Sequence, residues 1–359
     1  MKNGTMFFGL CLGAALATAT LAALAQDAPP PAPTIDADGT VHGALNTAPI
    51  SNFLSTEAKA ALAERMTKPP ISMTQSGLAG ARERVEQSAK ESLEGWLKIY
   101  PSTIEDTTIG GVHVFVITPK AGIDPANKNR VLIGAHQGGF NMGRAYSAQV
   151  EAVPLAGRAR IKVIAVDYRL APEAKFPAAS EDMEAVYREV LKTNKPANVG
   201  IFGCSAGGTL VAESMAWFQK KNLPRPGAIS IMCSGAMKTF WFGGDSQLVN
   251  PLLNGTRPFG SIIGPYFTDI NLDDPLVTPG QYPAVLAKFP PTLLVTGTRD
   301  IAMSNAITTH AALLKAGADA QLFVQEGLGH GHFYVFPGTP ESLAAYDVIW
   351  KFFDSHLKK

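Results

Sequence analysis

The chain has 359 residues, of which 46% are hydrophobic and 17% are charged, a composition typical of globular proteins. Its formal net charge of +1 lacks the basic excess expected of a nucleic-acid-binding protein, and three cysteines are too few for a disulfide framework. The histidines and cysteines do not have the spacing of a zinc site, so no metal is expected.

The first 25 residues have the pattern of a secretory signal peptide. Lys2 supplies a positive start, residues 6–24 are almost entirely apolar, and residues 23–25 offer small side chains for cleavage before Gln26. An uncleaved membrane anchor is the alternative, because the apolar run is nearly long enough to span a bilayer. Its many Ala, Gly and Thr residues favour cleavage. We therefore expect a periplasmic or secreted protein without stable membrane insertion after cleavage.

Residues 26–104 precede the expected core. Residues 26–50 are rich in proline and poor in apolar residues, which predicts an extended tail. Helical patterns follow at 56–65 and 79–97. Two helices ahead of the first strand do not fit inside a parallel sheet, so residues 51–104 are expected to lie over it and to contribute to a cap.

From about residue 105 to residue 359, strand-like runs alternate with helical runs. The predicted strands are 112–117, 131–135, 161–166, 199–203, 228–233, 292–296 and 321–324, and the helices between them are 178–191, 206–220, 302–314 and 341–353. This alternation indicates an α/β fold with a mostly parallel sheet flanked by helices, whose sites form at the carboxyl ends of the strands. Residues 236–290 lack a regular period and are expected to form part of a cap or pocket wall.

One serine lies in a turn typical of a catalytic nucleophile. The segment Gly203-Cys204-Ser205-Ala206-Gly207 follows an apolar strand and opens a helix. Small residues two before and two after the serine let strand and helix approach closely, so the hydroxyl stands exposed at the positive end of the helix. A glycine-rich turn that serves only for packing is the alternative, and the strand-to-helix context favours the nucleophile.

A serine hydroxyl needs a base to take its proton, and the base needs an acid to orient it. Of the seven histidines, His330 and His332 follow the last predicted strand. Asp300 also follows a strand and is the only carboxylate between Asp274 and Asp319. The order serine, aspartate, histidine is the one that α/β-hydrolases use. The alternative for Asp300 is that it only caps the following helix.

A second glycine-rich segment follows the strand 131–135. In His136-Gln137-Gly138-Gly139, adjacent glycines let backbone N–H groups face a ligand without obstruction by side chains. The N–H groups of Gly138 and Gly139, together with that of Ala206, are therefore expected to form an oxyanion hole. A plain glycine-rich turn is the alternative.

Together these segments resemble the hormone-sensitive-lipase family of α/β-hydrolases, the branch that includes many bacterial carboxylesterases. The matching blocks are residues 136–139, 166–173, 176–177, 181–182, 203–208, 274–279, 290–300 and 326–331. The resemblance implies an eight-stranded sheet, a helical cap built partly from N-terminal helices, and ester hydrolysis without a cofactor. It also implies that Asp167 and Arg169 are structural residues, charge-paired beneath the site.

The family pattern also separates the two histidines. Counted from Glu326, it places the catalytic histidine at His330, whereas a count back from Phe333 selects His332. We prefer His330 because Gly331 then falls where the family also has a glycine. His332 is left as a candidate for lining the substrate pocket.

The chain departs from the family at two positions. Cys204 stands where the family has an aspartate, and Gln137 replaces the first glycine of the oxyanion segment. Cys204 is a rival nucleophile, but the residue before such a serine points into the sheet, so packing is expected for its thiol. Gln137 either reshapes the acyl pocket or adds a donor, and these alternatives stay open.

The sequence thus predicts an exported serine carboxylesterase that hydrolyses small to medium esters through an acyl-enzyme, with Ser205, Asp300 and His330 as its triad. Phe140, Phe240, Trp241 and His332 are candidates for the substrate pocket, with core packing as the equal alternative for the aromatic residues. An amidase or peptidase on the same fold and a non-catalytic ligand-binding protein are the rival functions. The natural ester and the oligomeric state are left open.

Overall fold

A computed structural model describes residues 34–35, 41–42, 50–67, 73–238, 244, 246 and 264–358. These residues fall into two units. In the first, Met1–Ala48, strand β1 (Thr34–Ile35) pairs antiparallel with β2 (Val41–His42). The second, Pro49–Lys359, contains all the other elements. None of the described helices combines the length and the apolar character needed to cross a membrane.

The second unit is built on an eight-stranded sheet with the order β10-β9-β8-β7-β5-β6-β4-β3. Its strands are β3 (Ser102–Ile109), β4 (Val112–Pro119), β5 (Val131–Ala135), β6 (Lys162–Val166), β7 (Val199–Cys204), β8 (Ala228–Met232), β9 (Thr292–Arg299) and β10 (Ala320–Gly329). The six strands from β10 to β6 are parallel, and β4 and β3 are antiparallel. The predicted fold class is confirmed.

Nine helices are described in this unit. They are α1 (Thr56–Thr67), α2 (Met73–Ile99, interrupted at Gly77), α3 (Ala145–Ala159), α4 (Ala178–Val190), α5 (Ala206–Lys220), α6 (Pro283–Leu286), α7 (Met303–Lys315), α8 (His332–Val335) and α9 (Pro340–His356). Short 3₁₀ helices cover Pro125–Asn127, Pro196–Asn198, Pro265–Phe267 and Pro279–Gln281.

Helices cover both faces of the sheet. Successive side chains of a strand point to opposite faces of the sheet. On β5, Ile133 packs in the hydrophobic cluster that includes α4, α5 and α7. Its neighbour Leu132 packs in the cluster on the other face, which includes α2, α3 and α9. Because neither face meets water, the central strands are apolar throughout. These continuous apolar runs are what made the strands recognisable in the sequence.

Apart from short elements of two to four residues, two elements were not predicted from the sequence. Strand β3 is half exposed, with an alternating pattern, because it lies at the edge of the sheet beyond β4. Helix α3 contains Pro154 and is buried along most of its length between α2 and the sheet. A helix that is buried nearly all round shows no polar face, so it lacks the periodic pattern that reveals a surface helix.

The order of the strands creates the crevice that holds the site. Strand β5 continues through α3 on one face of the sheet, whereas β7 continues through α5 on the other face. The connections that follow β5 and β7 therefore leave these neighbouring parallel strands toward opposite faces of the sheet. A crevice opens between them at the carboxyl ends of the two strands. Ser205 and the His136–Gly139 segment both follow these strands directly.

Candidate active site

Ser205 is the single residue between β7 and α5. Its backbone has φ 57° and ψ −119°, a strained combination that residues with a side chain rarely adopt. Its N–H donates to the carbonyl of Met232 at 2.8 Å, which ties the turn to the end of β8. The hydroxyl makes no hydrogen bond within the described part of the chain, to His330 or to any other residue.

Close backbone packing explains the glycines around this serine. A Cβ atom on Gly207 would lie 1.9 Å from the carbonyl oxygen of Ala135, and one on Gly203 would lie 2.5 Å from the backbone of Gly207. Any side chain at either position would push the start of α5 away from β5 and β7. The strained corner therefore depends on these glycines, and it holds Ser205 at the positive end of α5.

His330 and Asp300 form a hydrogen-bonded pair beyond the ends of β10 and β9. His330 Nδ1 lies 2.7 Å from Asp300 Oδ1, and the imidazole is partly exposed while the carboxyl is completely buried. Burial alone would raise the pKa of the Asp300 carboxyl. The interaction with His330 and hydrogen bonds from Ala302 and Thr296 outweigh burial, so this pKa lies below its usual value.

An ionised Asp300 determines the tautomer of the imidazole. A carboxylate only accepts hydrogen bonds, so His330 Nδ1 carries the proton and Nε2 keeps its lone pair. Asp300 Oδ1 also accepts from the N–H of Ala302 at 2.9 Å, and Oδ2 accepts from Thr296 Oγ1 at 2.8 Å. Asp300 therefore caps the entry to α7 and orients the histidine at the same time.

Cys233 links the serine turn to the histidine loop. It follows Met232, which binds the N–H of Ser205, and its Sγ accepts a hydrogen bond from the N–H of Gly331 at 3.2 Å. One ligand atom each of Cys233, Asp300 and His330 lies within 4.8 Å of the others, close enough to suggest a metal site. Burial raises the pKa of the Cys233 thiol to about 11.

The predicted oxyanion residues form a tight turn in which two peptide planes are held by hydrogen bonds. His136 Nδ1 donates to the carbonyl of Gln137 at 2.6 Å, and the N–H of Met142 donates to the carbonyl of Gly138 at 2.8 Å. In a planar trans peptide the N–H points away from the carbonyl, so these bonds aim the N–H groups of Gly138 and Gly139.

The third predicted donor is aimed in the same way. The carbonyl of Ser205 accepts from the N–H of Thr209 at 3.0 Å and thereby orients the N–H of Ala206. No hydrogen bond among the described residues uses the N–H of Gly138, Gly139 or Ala206. Three oriented donors thus remain available to an anion.

His332 does not line a substrate pocket, contrary to the sequence-based expectation. Its side chain is buried, with Nδ1 2.9 Å from the carbonyl of Gly329 and Nε2 in contact with the side-chain amide of Gln325. Burial lowers the pKa of His332 to about 4. The residue starts α8 and holds the loop after β10 in place, because both ring nitrogens are bound to that strand.

The aromatic pocket candidates divide into two groups. Phe140 is fully buried and stacks on Tyr266 with ring centres 4.6 Å apart, so the core-packing alternative describes it and the pocket prediction for it is wrong. Its φ of 60° turns the chain away from the oxyanion segment. Phe240 and Trp241 lie outside the described residues.

The two departures from the family pattern are both accommodated by packing. Cys204 is completely buried in the core, and burial raises the pKa of its thiol well above the usual value, so the thiolate needed for attack is disfavoured. The side-chain amide of Gln137 donates to Ser147 Oγ at 3.3 Å. It therefore points toward α3.

Asp167 and Arg169 are both charge-paired, but with other partners than each other. Asp167 Oδ2 lies 2.9 Å from His113 Nδ1. Arg169 binds Asp182 at 2.8 Å and Glu181 at 3.0 Å, which fixes the start of α4. The two side chains are separated by Tyr168 and bind partners on different elements, that of Asp167 on β4 and those of Arg169 on α4.

Helix α2 contacts the residues that follow the oxyanion segment, which the sequence did not predict. Glu86 accepts from the N–H groups of Arg144 and Tyr146 at 2.8 and 2.9 Å and thus caps α3, whose own N-cap residue provides no side-chain bond. Arg82, one turn earlier, donates to the carbonyl of Asn141 at 2.7 Å. Their spacing by four residues on a helix was the available signal, since it places both on one face.

The alpha/beta hydrolase fold family matches residues 132–334, more than half of the chain. An acetyl-hydrolase of Streptomyces hygroscopicus is 27% identical over 239 residues, which cover 64% of this chain and 77% of that enzyme. The crystal structure of an esterase called E25 has a TM-score of 0.79 and 27% identity, over 89% of this chain and 99% of that one.

A crystal structure of an esterase from the bacterial hormone-sensitive lipase family shares the fold with a TM-score of 0.71 and 24% identity, over 84% of this chain and 99% of that one. The chain therefore belongs to the alpha/beta hydrolase fold family, as the sequence analysis expected.

Proposed function

We propose that this protein is a serine carboxylesterase. The observation that carries the proposal is the arrangement at one edge of the sheet: Ser205 on a strained turn, the His330–Asp300 pair at 2.7 Å, and three oriented backbone donors without a hydrogen-bond partner among the described residues. Nucleophile, oriented base and oxyanion donors are the groups that acyl transfer requires.

The reaction follows from these groups. Nε2 of His330 takes the proton of the Ser205 hydroxyl as its oxygen bonds to the ester carbonyl carbon. The carbonyl oxygen becomes an oxyanion that accepts hydrogen bonds from Gly138, Gly139 and Ala206. The carbon–oxygen bond to the alcohol then breaks, and His330 returns the proton to the departing alcohol. Water, deprotonated by the same imidazole, attacks the acyl-enzyme, and the acid leaves as Ser205 regains its proton.

Esters of small to medium acids are the proposed substrates. The names of the similar proteins support this choice, since one relative is an acetyl-hydrolase and a similar solved structure is an esterase. A series of p-nitrophenyl esters from acetyl to palmitoyl would measure the preferred acyl length. Activity on amides or peptides in the absence of any ester activity would overturn the proposal.

The nucleophile is tested by two neighbouring substitutions. Ser205→Ala should reduce turnover by a factor on the order of a million, because the acyl-enzyme cannot form. Cys204→Ala should retain most of the activity, since this buried thiol packs in the core. An active Ser205→Ala together with a folded but inactive Cys204→Ala would overturn the serine mechanism.

We further propose that the protein is exported and that its mature form begins at Gln26, because an apolar run and small residues precede this position. Mass spectrometry of the periplasmic or secreted protein would give the mature N-terminus directly. A membrane-bound form that still carries Lys2 would contradict cleavage and support an anchor.

A further inference from the structure

Glu151 is a buried carboxyl that the proposed mechanism does not use. It lies on α3 and is 2% exposed. Oε1 accepts a hydrogen bond from the N–H of Gln137 at 3.0 Å, and Oε2 has no hydrogen-bond partner among the described residues. A carboxyl is costly to remove from water, so a buried one with a single short contact calls for an explanation.

The residue it contacts lies next to the oxyanion donors. The peptide between His136 and Gln137 is held at both ends: its carbonyl accepts from the Tyr168 hydroxyl at 2.7 Å, and its N–H donates to Glu151. The following peptide carries the N–H of Gly138. Each peptide unit is a rigid plane. The orientation of the His136–Gln137 peptide therefore determines where the next two peptides begin, and these carry the N–H groups of Gly138 and Gly139.

We propose that Glu151 is a positioning residue for the oxyanion hole, holding the His136–Gln137 peptide so that the next two N–H groups meet the developing charge. This inference rests on the proposed esterase function. The role is one of geometry, because the carboxyl touches the backbone before the donors and does not reach the donors' own N–H groups.

The chemical state of the carboxyl suits this role. Burial raises the pKa of Glu151 well above its usual range, although the hydrogen bond from the N–H of Gln137 lowers it. A protonated carboxyl still accepts the hydrogen bond through its carbonyl oxygen. It does so without placing a full negative charge beneath the site where the oxyanion forms.

Three substitutions separate the role of the acceptor from that of the charge. Glu151→Gln keeps an oxygen in the same place and should leave kcat within about threefold of the wild type. Glu151→Asp withdraws the carboxyl by one methylene, and Glu151→Met removes the acceptor. Both should lower kcat by about a hundredfold with KM within about twofold, because the donors act mainly on the transition state.

Glu213 provides a matched control. It is also fully buried, on α5, and neither of its oxygens has a hydrogen-bond partner among the described residues. Glu213→Met removes the same side chain from the same kind of environment and should leave kcat within about threefold of the wild type. Thermal unfolding of all variants would show which of them retain the fold, and Glu151→Asp decides the question if Glu151→Met does not fold.

The inference is overturned if Glu151→Asp, or a folded Glu151→Met, keeps kcat within about threefold, if Glu213→Met loses as much, or if Glu151→Gln is as impaired as Glu151→Met. It is also overturned if KM rises in step with the loss of kcat. Failure of the proposed function looks different, since Ser205→Ala would then retain activity or the wild type would hydrolyse no ester.

Discussion

At the scale of single residues, the loop after β10 presents two histidines with opposite environments. His330 is partly exposed and bound to the buried Asp300, whereas His332 is buried and bound to its own strand through both ring nitrogens. With a pKa of about 4, His332 cannot be protonated and deprotonated in turn near neutral pH as a general base must be. The environment, more than the position in the motif, distinguishes the two.

We therefore expect His330→Ala to lose as much activity as Ser205→Ala, on the order of a million in kcat. His332→Gln should change activity by less than about a hundredfold, because it disturbs only the support of the loop. Initial rates on a p-nitrophenyl ester would measure both, with circular dichroism to verify folding. An active His330→Ala beside a folded and inactive His332→Gln would move the base to His332 and leave the serine mechanism in place.

At the scale of elements, α2 stabilises a segment that it does not belong to. Glu86 caps α3 from outside, and Arg82 binds the carbonyl of Asn141 and also that of Ala171 at 2.7 Å. The contacts of Glu86 and the bond of Arg82 to Asn141 lie on the segment that leads from the oxyanion residues into α3. Helix α2 thus fixes the entry of the chain into α3.

Loss of the hydrogen bonds from Glu86 to the start of α3 should affect both the stability of the fold and the turnover rate. Glu86→Gln replaces one acceptor oxygen with a donor facing a backbone N–H, so we expect a loss of about 1–2 kcal/mol in the free energy of unfolding. The displaced turn should lower kcat roughly tenfold. Glu94→Gln, at an exposed position on the same helix, is the control. If Glu86→Gln unfolds in urea and hydrolyses esters as the control does, Glu86 supports neither stability nor turnover.

At the scale of the whole molecule, several ionisable groups are buried with altered pKa values, and their effects on stability have opposite signs. His332 is neutral in the folded protein, whereas the unfolded chain takes up a proton near pH 6.5. Its contribution to stability is therefore complete above about pH 6.5 and is lost as the pH falls toward 4. Burial raises the pKa values of Glu151 and Glu213, whose contributions are instead lost as the pH rises.

A comparison of the wild type with His332→Gln gives the contribution of His332 to the pH dependence of the unfolding free energy. Between pH 7 and pH 5 the wild type should lose about 2 kcal/mol of unfolding free energy relative to His332→Gln, which has no proton to gain. The glutamates are common to both proteins, so their contributions cancel in the difference. Urea unfolding at both pH values measures it. Parallel pH dependence of the two proteins would mean that His332 takes up its proton equally in the folded state.

Much of the fold was determined by the sequence alone. The apolar central strands, α5 and the two glycine-rich turns are local features, because strand burial leaves a continuous apolar run and a strained corner needs glycine at fixed offsets. For the same reason the fold class and the α/β-hydrolase family followed from short motifs. Ser205, Asp300 and His330 could be proposed together because each follows a strand that ends at the same edge of the sheet.

The tertiary structure decided what depends on contacts between residues distant in the chain. Whether Phe140 lines a pocket or packs on Tyr266, and whether His332 faces the crevice or its own strand, depends on neighbours that no local pattern specifies. Helix α3 was not predicted because it is buried nearly all round and therefore shows no polar face in the sequence. The anchoring of the oxyanion turn by Glu86 and Glu151 likewise appears only when the helices pack, since a glutamate in a helix otherwise indicates no more than an exposed surface.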